Sequence, residues 1–431
     1  MKHFFQLTER NTSYKQETLA GLTTFLSIAY ILIVNPLILS QAGMEKGAVF
    51  TATALTTIIG SLLIGLLSNY PIAIAPSMGL NSFFTFSVCI GMGIAWPVAL
   101  TGVFIASILF VLLSLLKIRE KIINIIPSDL KHAIASGIGF FIAFIGLKNA
   151  GIIVSNEATY ISIGDLASPL TVLAVVGLIL TIYLLVRGIN GGIFYGMLVT
   201  TILGMLLGLI RTPFSIVGPI PSLESTFGVV FSHLQYSFTP ELLAVIFTFL
   251  FVAFFDTAGA LIALTSQAGL MKDNKIPNAG RALLADSTAG VVGAILGTST
   301  PATTIESSAG IAVGGRTGFT SVVIAACFAI ALFFSPVLSV ITTEVTAPAL
   351  IIVGSLMAME IGKIRWDRLE VVIPSFMTII MMPLTSSVAT GIAFGFVLYP
   401  ITLIAQKRFQ EIHPIMYVLG LLFIFYLGFL T

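Results

Sequence analysis

Charge is what this chain has least of. Only 9% of its 431 residues are Asp, Glu, Lys or Arg, whereas 57% are apolar, and an ordinary soluble protein carries roughly 25% charged residues. So little charge cannot cover a water-facing surface, which excludes a sizeable soluble domain. Lys and Arg number 20 against 18 Asp and Glu, so no basic excess offers a stripe for nucleic acid. Cysteine is nearly absent. Cys89 and Cys327 stand far apart in apolar segments and read as buried thiols, because disulfide and metal patterns need clusters or paired spacings. His3, His132, His233 and His413 are equally scattered, so no metal site is expected. Neither GxxxxGK[ST] nor a GxGxxG after a strand occurs, which argues against a nucleotide-powered pump and leaves no cofactor expected. No grouping of nucleophile, base and metal speaks for an enzyme. The first eighteen residues, MKHFFQLTERNTSYKQET, are polar, and a cleaved signal peptide is not expected.

Long hydrophobic runs fill the space. They fall at 19-38, 50-68, 72-91, 96-116, 133-150, 169-186 and 192-210, and then at 241-264, 280-297, 301-314, 319-341, 346-360, 370-384 and 387-405. At roughly 20 residues per crossing these make fourteen spans of a polytopic membrane protein. A further run, 414-430, is left open between a crossing and a helix lying on the interface. With the N-terminus in the cytoplasm, seventeen of the 20 basic residues fall inside and only Lys46, Lys148 and Arg211 outside. That positive-inside bias would be scrambled by a miscounted span.

The division expected is a cytoplasmic tail (1-18), a first seven-span repeat (19-210), a linker (211-239), a second repeat (240-405) and a C-terminal apolar segment (406-431). The halves resemble each other. LAGLTTFLSIAY and LAVIFTFLFVAF agree at six of twelve positions at an offset of 224, and PSMGLNS (Pro76 to Ser82) matches PATTIES (Pro301 to Ser307) at 225. An odd number of spans per repeat inverts the second copy, and inverted repeats place a transporter's site near the midplane. The fold class expected is therefore all-α, a 7+7 inverted repeat. Proline with Ser, Thr and Gly at Pro71, Pro76 and Gly79, and in TSTPATT (298-304), predicts discontinuous helices in spans 3 and 10.

Asp256, Asp286 and Glu306 lie within apolar stretches, where a carboxylate costs several kcal/mol and so faces a cavity or a partner. Asp256 has no basic residue within a few turns, and its alternative is a packed, protonated acid. Glu306 stands just past the second break, with a helix cap as its alternative, and its repeat mate Asn81 divides evenly between cap and function. Asp286 pairs with Arg281 one to two turns away or takes part in coupling. Of the small residues crowding the second break, only Ser307 is assigned beyond close helix packing.

TSTPATTIESSAGIAVGGRTG (298-318), FFDTAGAL (254-261), APSMGLNSFF (75-84) and the opening LAGLTTFLSIAYILIVNP together resemble the AzgA-like purine permeases of the nucleobase-ascorbate transporter superfamily, from first span to last. The Q/E-N-P-G signature usual in span 10 of one branch is missing, which separates this chain from uracil, xanthine and ascorbate carriers. The resemblance implies a core domain of spans 1 to 4 and 8 to 11, a gate domain of spans 5 to 7 and 12 to 14, proton symport of adenine, guanine or hypoxanthine, elevator-like movement and a homodimer in the cell membrane. By motif position it implies Asp256, Glu306 and Asn81 as substrate-site residues and Asp286 as a polar residue of site organisation or coupling. Ser307 joins the substrate site because it shares the break with Glu306, and Asp256 and Glu306 join Asp286 in proton coupling because one carboxyl can bind both proton and base.

The chemistry agrees, since a neutral purine presents ring N–H donors beside acceptors, and a carboxyl group can answer both. The alternative on the same fold is an anion transporter of sulfate or bicarbonate type, but an acid beside positive helix ends opposes an anion. A membrane enzyme or a channel is a smaller alternative.

Overall fold

The structure is a computed structural model and describes residues 2–116, 127–236, 239–271 and 277–429. It is mostly helical. Among the described residues, eight helical stretches are long and apolar enough to cross a membrane: Tyr14–Ser40, Lys46–Ser68, Trp96–Leu115, Ser128–Asn149, Pro169–Val186, Ala279–Leu296, Gly318–Val337 and Thr343–Lys363. Shorter apolar stretches run over Met78–Gly91, Gly192–Leu206, Val245–Phe254, Leu369–Thr385 and Thr390–Ala405. Starts follow local chemistry. Ser13, Thr239 and Ser387 accept from the amides of Gln16, Leu242 and Thr390, and prolines sit in the first turns of Trp96–Leu115, Pro169–Val186 and Pro240–Gln267. Inside the helices, hydroxyls with no water to bond return to the carbonyl four residues back, as Thr53 does to Val49 at 2.6 Å and Ser107 to Val103 at 2.8 Å.

Three expectations need correction. The chain is not all-α: β1 (Ile74–Pro76), β2 (Ile153–Asn156), β3 (Tyr160–Ile163) and β4 (Pro301–Thr303) form two two-stranded antiparallel sheets, β1 with β4 and β2 with β3. The β2–β3 hairpin closes on Asn156, whose side-chain oxygen accepts from the amides of Ala158 and Thr159, a local turn that a hydropathy scan does not register. The run 19-38 is two helices, Tyr14–Ile28 and Ile31–Ser40, meeting at Ala29 and Tyr30. Cys89 and Cys327 are free and only half-buried. The run 414-430 is a helix, Pro414–Phe429, whose Phe423 ring packs at 5.8 Å from Phe247 and 5.5 Å from Phe396.

Residues read as a polar tail are in part built into the fold. Glu17, in the first turn of Tyr14–Ile28, is completely buried. Its Oε1 accepts from the Arg316 amide at 2.9 Å, and its Oε2 from the Thr317 amide at 3.1 Å, the Thr317 hydroxyl at 2.8 Å and the Thr320 hydroxyl at 2.6 Å. Arg10 adds two bonds beside it, to the carbonyls of Asn69 and Arg316 at 2.6 and 2.7 Å. The Lys46–Ser68 and Gly318–Ala331 helices meet backbone to backbone, and a methyl on Gly318 would strike the Gly65 carbonyl oxygen.

Candidate functional site

The two proline-bearing breaks meet each other. β1 and β4 pair with Ile74 opposite Thr303, Ala75 opposite Ala302 and Pro76 opposite Pro301. Proline in each strand removes an amide donor, so a long ladder cannot form there. The pairing is instead extended at its ends by Ser77 N–H to the Thr300 carbonyl at 3.1 Å and Thr304 N–H to the Ala73 carbonyl at 3.0 Å. The edge of β1 is covered by serine: the amides of Ile72, Ala73 and Ile74 donate to the hydroxyls of Ser321, Ser307 and Ser61 at 3.0, 3.0 and 3.3 Å. Extended backbone inside an apolar protein is stable only when its groups are satisfied this way.

Helix resumes on both sides. After β1 come Met78–Ser82 and the π-helical Phe83–Gly91, and after β4 the 3₁₀ turn Ile305–Ser307 and then Ser308–Ala312. The acidic residues gather around this crossing. Asp256, on Pro240–Gln267, accepts at Oδ2 from the Ser77 hydroxyl at 2.8 Å. Glu306, in the turn after β4, accepts at Oε1 from the Tyr30 hydroxyl, also at 2.8 Å. Both acids are half-buried, partly open rather than packed away. Beside Glu306, the Ile305 side chain is 49% exposed.

Asp286 belongs to the same neighbourhood but not to its open face. It is 2% exposed, with Oδ2 accepting from the Thr257 hydroxyl at 2.7 Å and Oδ1 from the Thr303 hydroxyl at 3.5 Å. Since Thr257 follows Asp256 and Thr303 lies in β4, Asp286 ties the helix bearing one open acid to the strand leading to the other.

Asn81 and Ser307, grouped above with substrate-facing residues, have completely buried side chains. Asn81 donates from Nδ2 to Asn35 Oδ1 at 2.5 Å, and Asn35 Nδ2 donates to Thr53 and Thr298 at 2.7 and 2.9 Å, which links the helix after the first break to the chain entering the second. Ser307 takes the Ala73 amide and lies 3.2 Å from the Thr304 hydroxyl. Tyr30, Ser77, Thr257 and Thr303 escaped sequence reasoning. A phenol in SIAYILIV and hydroxyls beside prolines give no local sign of the acid that each one meets.

Among the described residues, no group of His, Cys, Asp and Glu could hold a metal ion. The arrangement is two partly open carboxyl groups, each held by one hydroxyl, at the crossing of two interrupted helices. It can accept N–H donors or hold a proton, and it has no nucleophile set against a base.

Comparison with known proteins agrees with that chemistry. Residues 15–394 match the Permease family. Guanine/hypoxanthine permease PbuG of Bacillus subtilis is 55% identical over 439 residues, with both chains covered completely. Adenine permease AdeP of Escherichia coli is 41% identical, with 98% of this chain and 95% of the relative covered. Among solved structures, the transmembrane domain of the cyanobacterial bicarbonate transporter BicA superposes with a TM-score of 0.65 at 18% identity, covering 88% of this chain and 97% of that one, a likeness of fold alone. A multi-pass membrane protein and a transporter rather than an enzyme, the chain belongs to the Permease family, within the nucleobase-ascorbate transporter superfamily.

Proposed function

We propose that this protein takes up purine nucleobases (guanine, hypoxanthine or adenine) across the cell membrane by proton symport. The observation that carries the reading is the pair of half-buried carboxyl groups, Asp256 and Glu306, at the crossing of the two breaks. A flat, neutral base offers N–H groups to such oxygens, and the relatives of this chain include a guanine/hypoxanthine permease and an adenine permease. Glu306 and Asp256 bind the base and carry the proton, with Asp286 relaying between their elements through Thr257 and Thr303. Asn81 and Ser307 serve the site from behind, holding the two resumed helices in place.

Fourteen crossings in two inverted sets of seven, with the N-terminus cytoplasmic and divisions at 1-18, 19-210, 211-239, 240-405 and 406-431, remain the topology we propose. The antiparallel pairing of Pro76 with Pro301, mates at the repeat offset, supports it. The core block, spans 1 to 4 and 8 to 11, moves as an elevator against a gate of spans 5 to 7 and 12 to 14, in a homodimer. The anion alternative has only likeness of fold in its favour, and two carboxylates at the crossing repel an anion.

Uptake of labelled hypoxanthine, guanine and adenine by cells lacking their own carriers tests this, with and without a protonophore. Glu306→Gln keeps the shape and loses the anionic acceptor, so uptake falls by more than about tenfold at normal membrane abundance. Uptake untouched by the substitution, or bicarbonate accumulation in place of any base, overturns the reading.

A further inference from the structure

We propose that Tyr30 is a positioning residue for base binding, its phenol fixing the Glu306 carboxyl in the orientation that receives the purine. The inference rests on the nucleobase reading above and extends it to a residue outside the two breaks.

Tyr30 is 1% exposed and lies where the Tyr14–Ile28 and Ile31–Ser40 helices meet. The backbone there turns tightly, with the amides of Leu32 and Ile33 donating to the carbonyls of Ala29 and Tyr30 at 3.1 and 3.0 Å. A buried phenol needs a partner, and the one that Tyr30 has is Glu306 Oε1, 276 positions away in sequence. Among the described residues no other side chain donates to this carboxyl. A glutamate in a short 3₁₀ turn has three side-chain torsions to settle, and this one is only half-buried. Without the phenol nothing but its own turn would hold it. With one oxygen engaged by a donor on a well-packed ring, the rotamer is set before the base arrives and Oε2 is left without a side-chain donor. Binding then loses less conformational freedom, which is how preorganisation raises affinity.

The test is a comparison of Tyr30→Phe, which removes one oxygen atom and keeps the ring, in two backgrounds. In the full-length wild-type chain we expect the Kd for the preferred base, measured on purified protein, to rise at least about fivefold, the order expected for one charge-assisted hydrogen bond. In uptake the KM should rise likewise, with the maximal rate within about twofold. In Glu306→Asp the carboxyl is withdrawn by one methylene from the phenol, so adding Tyr30→Phe should change Kd by less than about twofold. An unchanged Kd in the wild-type background, or the same loss in both, overturns the proposal. So does a Tyr30→Phe protein that fails to reach the membrane, because the hydroxyl would then be holding the fold. A wild-type chain that neither binds nor accumulates any purine base removes the functional reading itself, an outcome distinct from all of these.

Discussion

Replacing Glu17 by alanine should cost more stability than any other single truncation near the N-terminus. Four donors converge on its carboxylate, two backbone amides (Arg316 and Thr317) and two hydroxyls (Thr317 and Thr320), in a completely buried place. The hydroxyls can turn toward other acceptors, but the amides cannot. Each buried amide left unsatisfied costs about 1–3 kcal/mol, so Glu17→Ala should lose about 2–6 kcal/mol, a large part of the roughly 5–15 kcal/mol that ordinary domains possess. Glu17→Gln keeps an acceptor for one side and turns an NH2 toward the other, so its loss should be about half as large. Thermal denaturation of the detergent-purified protein, followed by the monodisperse peak on size exclusion at one heating rate, reads the difference. At roughly 2–4 °C per kcal/mol the alanine variant should fall by at least about 4 °C, with glutamine between it and wild type. An alanine variant that melts with wild type would refute the reasoning and show that water or a rearranged loop replaces the carboxylate.

Other changes test other contacts. Gly318→Ala drives a methyl against the Gly65 carbonyl, and because backbone cannot rotate away, a loss of about 1–3 kcal/mol should appear as reduced membrane abundance and melting temperature. Asp256→Asn should abolish pH-driven accumulation of hypoxanthine, and a variant that still concentrates the base under an imposed pH difference moves the coupling role to Asp286. A cysteine pair joining the Ile31–Ser40 helix to the Thr343–Ala358 helix should stop transport when oxidised and restore it when reduced. Crosslinked protein transporting at the normal rate would exclude relative movement of the two blocks.

What a sequence reveals here depends on how far apart the interacting residues are. The apolar runs and the interruptions at Pro76 and Pro301 were legible because hydropathy, proline and N-caps act over a few residues. The acids Asp256 and Glu306 were legible because a carboxylate in an apolar run needs a reason. Their hydroxyl partners were not, since Ser77 and Tyr30 reach across 179 and 276 positions. Glu17 was hidden for the opposite reason: in a polar stretch a buried acid looks like any solvated one. Asp286 had a plausible neighbour in Arg281 by helical spacing, yet the hydroxyls it accepts from belong to another helix and a strand.

The pairing of β1 with β4 also bears on how the protein is made. Pro76 and Pro301 are 225 residues apart, and at about 5–20 residues per second a ribosome needs roughly ten to forty-five seconds to travel between them. During that interval the first break has entered the insertion machinery with Ser61 already made, while the partner strand and the two later serines that will satisfy its amides, Ser307 and Ser321, do not yet exist. Those amides must be kept wet or shielded, because lipid offers them nothing. The crossing of the two breaks therefore closes late in biogenesis, and chains stalled or cut before residue 303 should be recognised by membrane quality control as incomplete.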